Sequence, residues 1–520
     1  MFIKGGKRMK KLLLCALSLL AAVLMIAGCG GGDKKTEKPA PAKTEKSAAK
    51  HMNIALFWLD KSLEPAEGWN AWSLARAGAS ECLTTIDENM KLTPVLADKW
   101  EQVDPVTWKI HIRKGVKFSN GKEMTPEDVK KTIERAVGKD KRAAANANLD
   151  SIKVDGENII YKTKAPYGAL MYNLSEPLFT IIDTSKPAEE IAKTPVTTAP
   201  YMVTSFKSGE VIELKANPNY WGGKPGLDSI TVKLIKDDNT RAMALQSGEI
   251  DIAQKLDKAG ADLFKGKSEF NTLEVPSLRL EFAFLNLKHP FLANANVRKA
   301  MAMAVDRDAM AKLFNGEPCG TVFPKAAGIG FEKLNKQTFN LEEAKKLLAQ
   351  EGFKDTNGDG IIEKDGKPFE LTLQIFKKTA IPEALQAQLA KAGIKINIRQ
   401  MDDTQKNLEE GKFDMSLNSY ITAVTGDGQR ILEQNFSTKG ADNYGKYSNP
   451  EYDAVIAKLA GEFDAAKRVE LETEAQKILL QDTPDLFLVS SKTIIVTKNS
   501  VKNLKKYPLD YYLISKDTTM

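Results

Sequence analysis

Two hydrophobic rhythms run through this chain. From residue 53 onward, short stretches with strand-period alternation are interspersed with stretches whose apolar positions recur at helical spacing. Asn53–Trp58 reads as an entering strand, and Trp108-Lys109-Ile110-His111-Ile112 alternates as a half-buried one. Thr125-Pro126-Glu127-Asp128-Val129 then opens a helix, with Thr at the N-cap, Pro at the first position and acids in the first turn. Ile159–Tyr161, Val211–Leu214 and Ile230–Ile235 read as strands, the last two separated by a turn rich in Gly, Pro and Asn at 217–226. Thr240–Gln246 reads as a helix ended by Gly248. Phe282–Leu287 is an apolar strand, and Val297–Phe314 a helix pair. Leu341–Glu351 and Pro382–Ala392 have amphipathic helical spacing, while Phe369–Phe376 and Ile394–Arg399 are strand-like. The alternation of strand and helix over 283–488 predicts an α/β lobe.

The first 50 residues follow neither rhythm. Lys4, Lys7, Arg8, Lys10 and Lys11 precede an apolar run, Leu12–Ile26, too short for a comfortable membrane span. The run ends in Ile26-Ala27-Gly28-Cys29, small residues leading into a cysteine. That is the pattern of a secretory signal over 1–28, and its end resembles a bacterial lipobox, which implies a diacylglyceryl group on Cys29. Residues 29–50 lack large apolar side chains and are rich in Lys, Pro, Ala and Gly, so they read as a flexible tether. The expected location is extracytoplasmic, anchored to a membrane by lipid.

Charge changes the picture only by elimination. The formal net charge is +7, but five Lys/Arg and no acid lie in 1–28, and 29–50 adds six Lys against three acids, leaving about −1 for 51–520. The basicity therefore belongs to targeting and tether and gives no reason to expect nucleic acid. Once Cys15 leaves with the signal and Cys29 is lipidated, Cys82 and Cys319 remain, far apart and expected as buried thiols. Three histidines, at 51, 111 and 289, form no ligand cluster, and neither a GxSxG elbow nor a glycine-rich phosphate loop is present. No catalytic constellation and no resident cofactor are expected. The roughly 470 residues after the tether exceed one core, so two or more lobes are expected.

Four stretches carry a family resemblance. They are Pro94–Trp100 with Trp108 and Arg113–Gly121; Ala199-Pro200-Tyr201 with Asn217–Trp221; Thr240–Asp251; and Asn296–Arg307. In this order, after a lipobox, they resemble the family-5 extracytoplasmic solute-binding proteins of peptide and nickel ABC importers. Val196-Thr197-Thr198 departs from the Gly-rich turn usual there. Each motif also reads as scaffold: Asn120-Gly121 as a turn, Tyr220-Trp221 as packed aromatics. The resemblance implies an α/β two-lobe periplasmic-binding-protein-like fold of the large class, with a hinged cleft. Lobe I is expected over 51–280 and 489–520, with an extra subdomain at about 95–205, and lobe II over 281–488. The crossings are expected near Pro276–Phe284 and Leu486–Ser491.

The same resemblance supplies candidates for the cleft. Trp69 and Trp72 stand where relatives begin a cleft-facing helix, with core packing as the alternative. Arg142 aligns with an arginine that nickel-type members use for a chelator carboxylate; otherwise it is a solvated basic turn. Glu176 stands in place of a second arginine, which suits an amine-bearing ligand or a plain loop acid. Tyr420, Thr422, Thr425 and Asp427 fall in the lobe-II loop that contributes side chains, and Asp427 resembles the acid that holds a peptide amino terminus. The direct histidine metal ligand of some nickel members has no counterpart here.

Asp355-Thr356-Asn357-Gly358-Asp359-Gly360 opens like an EF-hand loop, but Gly366 falls where the bidentate Glu belongs. It reads as a polar turn, with calcium as the alternative. The function these readings imply is a monomeric, non-catalytic import receptor that delivers a nickel chelate or metallophore, or a short peptide, to ABC permease subunits. A metal-free di- or oligopeptide receptor is the alternative, followed by a lipoprotein enzyme or signalling module on this fold.

Overall fold

The computed structural model describes residues 49–520. The signal reading at 1–28, the lipid site at Cys29 and nearly all of the tether lie outside the described residues. No described helix is long and apolar enough to cross a membrane.

An 11-stranded mixed sheet organises the molecule. Its centre is a pair of long antiparallel strands, Phe270–Leu285 and Asp485–Lys498. On one side, Ile252–Leu256 joins the second of these, followed by His51–Leu56, Ser229–Leu234, Val211–Ala216 and Tyr201–Lys207. On the other side, Met415–Ile421 pairs with Arg279–Leu285, and Glu370–Ile375 and Lys395–Gln400 follow in parallel. The two long strands thus belong to both halves of the sheet. Their register shifts between Pro276 and Leu280, where proline has no N–H to give the ladder.

The local signals act as the sequence predicts. Pro126–Lys139 is a helix closed by a full capping box between Thr125 and Asp128. Asp237 caps the helix Asp238–Ser247, and Gly248 ends it at φ +85°, where a side chain would be strained. The helix pair forms as Ala295–Met303 and Arg307–Phe314, capped by Asn294 and Asp306. A separate four-stranded antiparallel sheet, from Ala97–Asp104 to Asn158–Thr163, packs beneath Pro126–Lys139 within the stretch expected as an extra subdomain.

Apolar burial holds these parts. Leu285, Val297, Met301, Phe369, Leu373 and Leu385 form one core between the 370s strands and their helices, and Ile54, Ile212, Ile230, Val232 and Ile252 form another under the opposite half. Each fully buried side chain of this size contributes about 1.5–3 kcal/mol. Cys82 and Cys319 are buried free thiols, and burial raises both pKa values, which suits packing rather than reactivity.

Candidate functional site

A cavity of about 450 Å³ opens where the strand Met415–Ile421 leaves the sheet. That strand and the turn after it place Ser419, Tyr420, Ile421, Thr422, Val424, Thr425 and Asp427 on its wall. The helix Gln429–Phe436 adds Arg430, Ile431, Gln434 and Asn435. Opposite them stand three tryptophans, Trp58, Trp69 and Trp72.

Helical geometry explains the aromatic wall. Trp69 begins the short helix Asn70–Arg76, and Trp72 lies one turn on, so both share a face. Their rings meet edge-on at 4.5 Å between centroids, and Trp72 rests on Tyr511 at 4.9 Å. Trp69 is 37% exposed and Trp72 only 6%, so the first presents a face and the second supports it. The indole Nε1 of Trp72 is buried without a partner among the described residues, a donor available to the cavity it lines. Tyr420 packs against Phe282 and Phe284, and burial pushes its hydroxyl well above the usual range, so it enters any binding event neutral.

The charged groups are arranged differently from the sequence-based expectation. Asp427 lines the cavity, but its Oδ2 accepts from Arg468 Nε at 2.8 Å and lies 2.7 Å from Nη2. Glu472 stands beside this pair. Burial, reinforced by Asp427, raises its pKa and so favours its neutral form. Asp427 is thus already compensated by a buried guanidinium. Thr425 Oγ1 donates to Asn173 Oδ1 at 3.2 Å, and Thr422 Oγ1 lies 3.5 Å from the Leu278 carbonyl; both hydroxyls are committed to the scaffold.

Arg142 and Glu176 are not on the cavity wall. They face each other, Arg142 Nε at 3.5 Å from Glu176 Oε1. Arg142 also stacks its guanidinium 3.8 Å from the Trp69 ring centre and donates to the Gly68 carbonyl at 2.6 Å. Glu176 is fully buried and accepts from Asn146 Nδ2 at 2.6 Å. In this arrangement the two residues fix Trp69, one layer away from a ligand.

Among the wall residues that sequence reasoning did not name, Trp58, Arg279 and Arg430 matter most to the chemistry. Arg279 extends from the central strand, donates to the Ser419 carbonyl at 3.2 Å and lies 3.8 Å from Asp510. Asp510 also meets Arg76 at 3.2 Å and Lys255 at 3.7 Å. Burial opposes ionisation of Asp510, yet these three cations outweigh it and hold its pKa below the usual value. Asp510 thus faces three cations, with buried Glu281 also near Arg279 and Lys255. Arg430 has no carboxylate partner among the described residues. No histidine or cysteine lines the cavity. Its chemistry is therefore an aromatic wall, two guanidinium groups for anionic oxygens, the carboxylates of Asp427 and of Asp442 (whose Oδ1 accepts from the Tyr444 hydroxyl at 2.8 Å), and no nucleophile–base pair among the lining residues.

Comparison with known proteins agrees with this geometry. The sequence profile described as "Bacterial extracellular solute-binding proteins, family 5 Middle" matches residues 91–443. The nickel-binding protein NikA of Staphylococcus aureus (strain NCTC 8325 / PS 47) is 28% identical over 510 residues, covering 97% of this chain and 98% of its own. The oligopeptide-binding protein AppA of Bacillus subtilis (strain 168) is 27% identical over 98% of this chain and 99% of its own. The crystal structure of Staphylococcus aureus NikA in complex with Ni(L-His)2 is 26% identical, covers 91% of this chain and 100% of its own, and superposes with a TM-score of 0.73.

Proposed function

Since this chain belongs to the family-5 bacterial extracellular solute-binding proteins, we propose that it is the ABC-importer receptor for a small carboxylate-bearing ligand, foremost a nickel chelate. Members of this family are two-lobed extracytoplasmic transport receptors, not enzymes, and metal complexes are their cargo rather than cofactors. The observation that carries the reading is the cavity: about 450 Å³, walled by Trp58, Trp69 and Trp72, with Arg279 and Arg430 on its lining. That volume lies in the lower half of the range that encloses drug-sized ligands. It suits a single chelate or a short peptide better than a long one. The relative NikA supports the metal, and AppA the second reading, a short peptide.

The guanidinium groups hold the ligand's carboxylates in this reading, and the tryptophans cover its apolar surface. Asp427, already paired with Arg468, contributes orientation rather than a free charge for an amine. Arg142 and Glu176 position Trp69. In this reading the lobes are 51–280 with 489–520 and 281–488, crossing near Pro276–Phe284 and Leu486–Ser491, and the register shifts of the long strands at Pro276/Leu280 and Glu281/Phe282 fall in the first crossing. The receptor acts as a monomer, held at the membrane through lipidated Cys29 and delivering its cargo to the permease subunits.

A thermal-shift screen of metal chelates and di- and tripeptides identifies the ligand, because a bound ligand raises the melting temperature by mass action. With that ligand, Arg430→Ala is expected to weaken binding by about 1.5–3 kcal/mol, the range for hydrogen bonds to charged groups, with unliganded melting unchanged. Equal affinity in variant and parent would remove the Arg430 guanidinium from the site. For the anchor, Cys29→Ser is expected to release folded protein from the membrane fraction. Full retention of that variant with membranes would refute lipidation.

A further inference from the structure

We propose that the loop Asp355–Glu363, remote from the ligand cavity, is a calcium site that stabilises the 283–488 half of the molecule. The loop is pinched shut by a two-way backbone bridge: Glu363 N donates to Lys354 O at 2.7 Å and Lys354 N to Glu363 O at 3.0 Å. Within it, carboxylate oxygens of Asp355, Asp359 and Glu363 all lie within 4.8 Å of one another. No Lys or Arg pairs with any of the three among the described residues. Three like charges held this close without a cation repel one another at short range.

The decisive group is Glu363. It is only 8% exposed. Its Oε2 accepts from Thr356 N at 2.8 Å and Thr356 Oγ1 at 3.0 Å. Its Oε1 is buried with no partner, on a carboxylate that has an oxygen within 4.8 Å of an oxygen of each aspartate. An unpartnered buried carboxylate oxygen is costly. A cation bound between the three carboxylates removes both that cost and the repulsion.

The other groups are already oriented. Asp355 Oδ1 accepts from Gly358 N at 2.7 Å and Oδ2 from Gly360 N at 3.0 Å. Asp359 Oδ1 accepts from Ile361 N at 2.8 Å, and Asn357 Oδ1 from Asp359 N at 2.8 Å. Asn357 Nδ2 donates to Asp359 Oδ2 at 3.2 Å. Gly360 turns the chain at φ +86°, as the sixth position of an EF-hand loop requires. Asp355, Asn357, Asp359 and Ile361 occupy the first, third, fifth and seventh positions of such a loop. Glu363, at the ninth, supplies the carboxylate that is missing at the twelfth.

The donors are all oxygen, which selects a hard cation and disfavours nickel or zinc. Several protein oxygens on an adaptable loop suit Ca²⁺ better than Mg²⁺, which demands near-ideal octahedral geometry and keeps its waters. The position gives the ion a structural role. Phe353, just before the loop, stacks on Phe369 just after it at 5.0 Å, and Ile362 N donates to Gly393 O at 3.0 Å. An ion here fastens the segment after the helix Leu341–Gln350 to the edge of the main sheet.

The test is calorimetry and thermal melting of the protein after EDTA treatment and dialysis, with Ca²⁺ and with Mg²⁺. One Ca²⁺ per chain is expected, with a Kd at or below about 10⁻⁴–10⁻³ M, the class of extracellular modules. The melting temperature should rise with Ca²⁺, and Mg²⁺ should bind at least about tenfold more weakly. Asp359→Asn, at an exposed position, should melt at or above the parent in EDTA, since one of the repelling charges is gone, and lose at least about tenfold in Ca²⁺ affinity. Absence of Ca²⁺ binding up to about 10 mM, parental affinity in Asp359→Asn, or equal affinity for Mg²⁺ would each overturn the assignment. Binding of cargo in the cavity is independent of all three outcomes.

Discussion

Arg468→Ala should cost about 3–5 kcal/mol of stability, the range for removing one partner of a buried ion pair. The Arg468 side chain is 2% exposed. Its Nε and Nη2 serve Asp427, Nη1 donates to the Leu459 and Glu462 carbonyls at 2.9 and 2.8 Å, and Nη2 also reaches Gln429 Oε1 at 3.0 Å. Truncation leaves Asp427 as a buried charge beside Glu472 and strips the Glu462 carbonyl of its donor, while the Leu459 carbonyl keeps Glu462 N at 3.2 Å. Urea unfolding measures the loss. Adding Asp427→Asn to the variant should recover part of it, because the stranded charge is gone. A loss below about 1 kcal/mol would mean that Asp427 is solvated rather than held by Arg468.

The second large effect depends on pH. Asp485 begins one of the two central strands, fully buried, and burial pushes its pKa up to about 8 although Leu285 N and Arg298 work against the shift. Its Oδ1 accepts from Leu285 N at 3.3 Å, while Oδ2 has no partner. Between the ordinary value of 3.8 and about 8, the folded state keeps a proton that the unfolded state has lost. Stability from the neutral acid is therefore complete below pH 3.8 and disappears as pH rises through about 8. At about 1.4 kcal/mol per pKa unit the amount at stake is on the order of 5 kcal/mol. Asp485→Asn should keep at alkaline pH the stability that the parent loses, and the two should converge in acid. Urea unfolding across this range checks it; parallel pH profiles would show that Asp485 ionises normally. Burial raises the pKa of Glu81 from 4.5 to about 7 against its hydrogen bonds from Trp221, Thr198 and Tyr220, so it adds a slope of the same sign within that narrower range.

Local chemistry made much of the fold legible. Thr125-Pro126 with Asp128 announced a helix, and Gly248 its end, because caps act within a few residues. The crossing strand was half visible. Phe282–Leu285 is apolar, but the preceding part of Phe270–Leu285 alternates between exposed and buried positions around Pro276, so its continuation was hidden. The site divides in the same way. Trp69 with Trp72, and the run Tyr420–Asp427, were supplied by the family resemblance and lie close together in sequence, and the structure brings Trp69, Trp72, Tyr420, Thr422, Thr425 and Asp427 to one cavity. The pairing of charges was not legible. Arg468 meets Asp427 from 41 residues away, and Arg142 meets Glu176 across two strands and a short helix. A single sequence contains many arginines and no indication of which acid each will find. Arg279 and Arg430 were missed for that reason, since each sits in an ordinary polar context and gains meaning only from the wall it joins.

In the proposed reading, this receptor takes nickel only inside a small-molecule complex. Its cavity offers indoles, guanidinium groups and carboxylates, poor ligands for a bare borderline metal. Calorimetry with free Ni²⁺, with chelator alone and with the preformed complex tests this most directly. Tight one-to-one binding of the complex, with weak or no binding of free Ni²⁺, is the expected result. Tight stoichiometric binding of free Ni²⁺, or silence toward every complex alongside clear binding of di- or tripeptides, would contradict it.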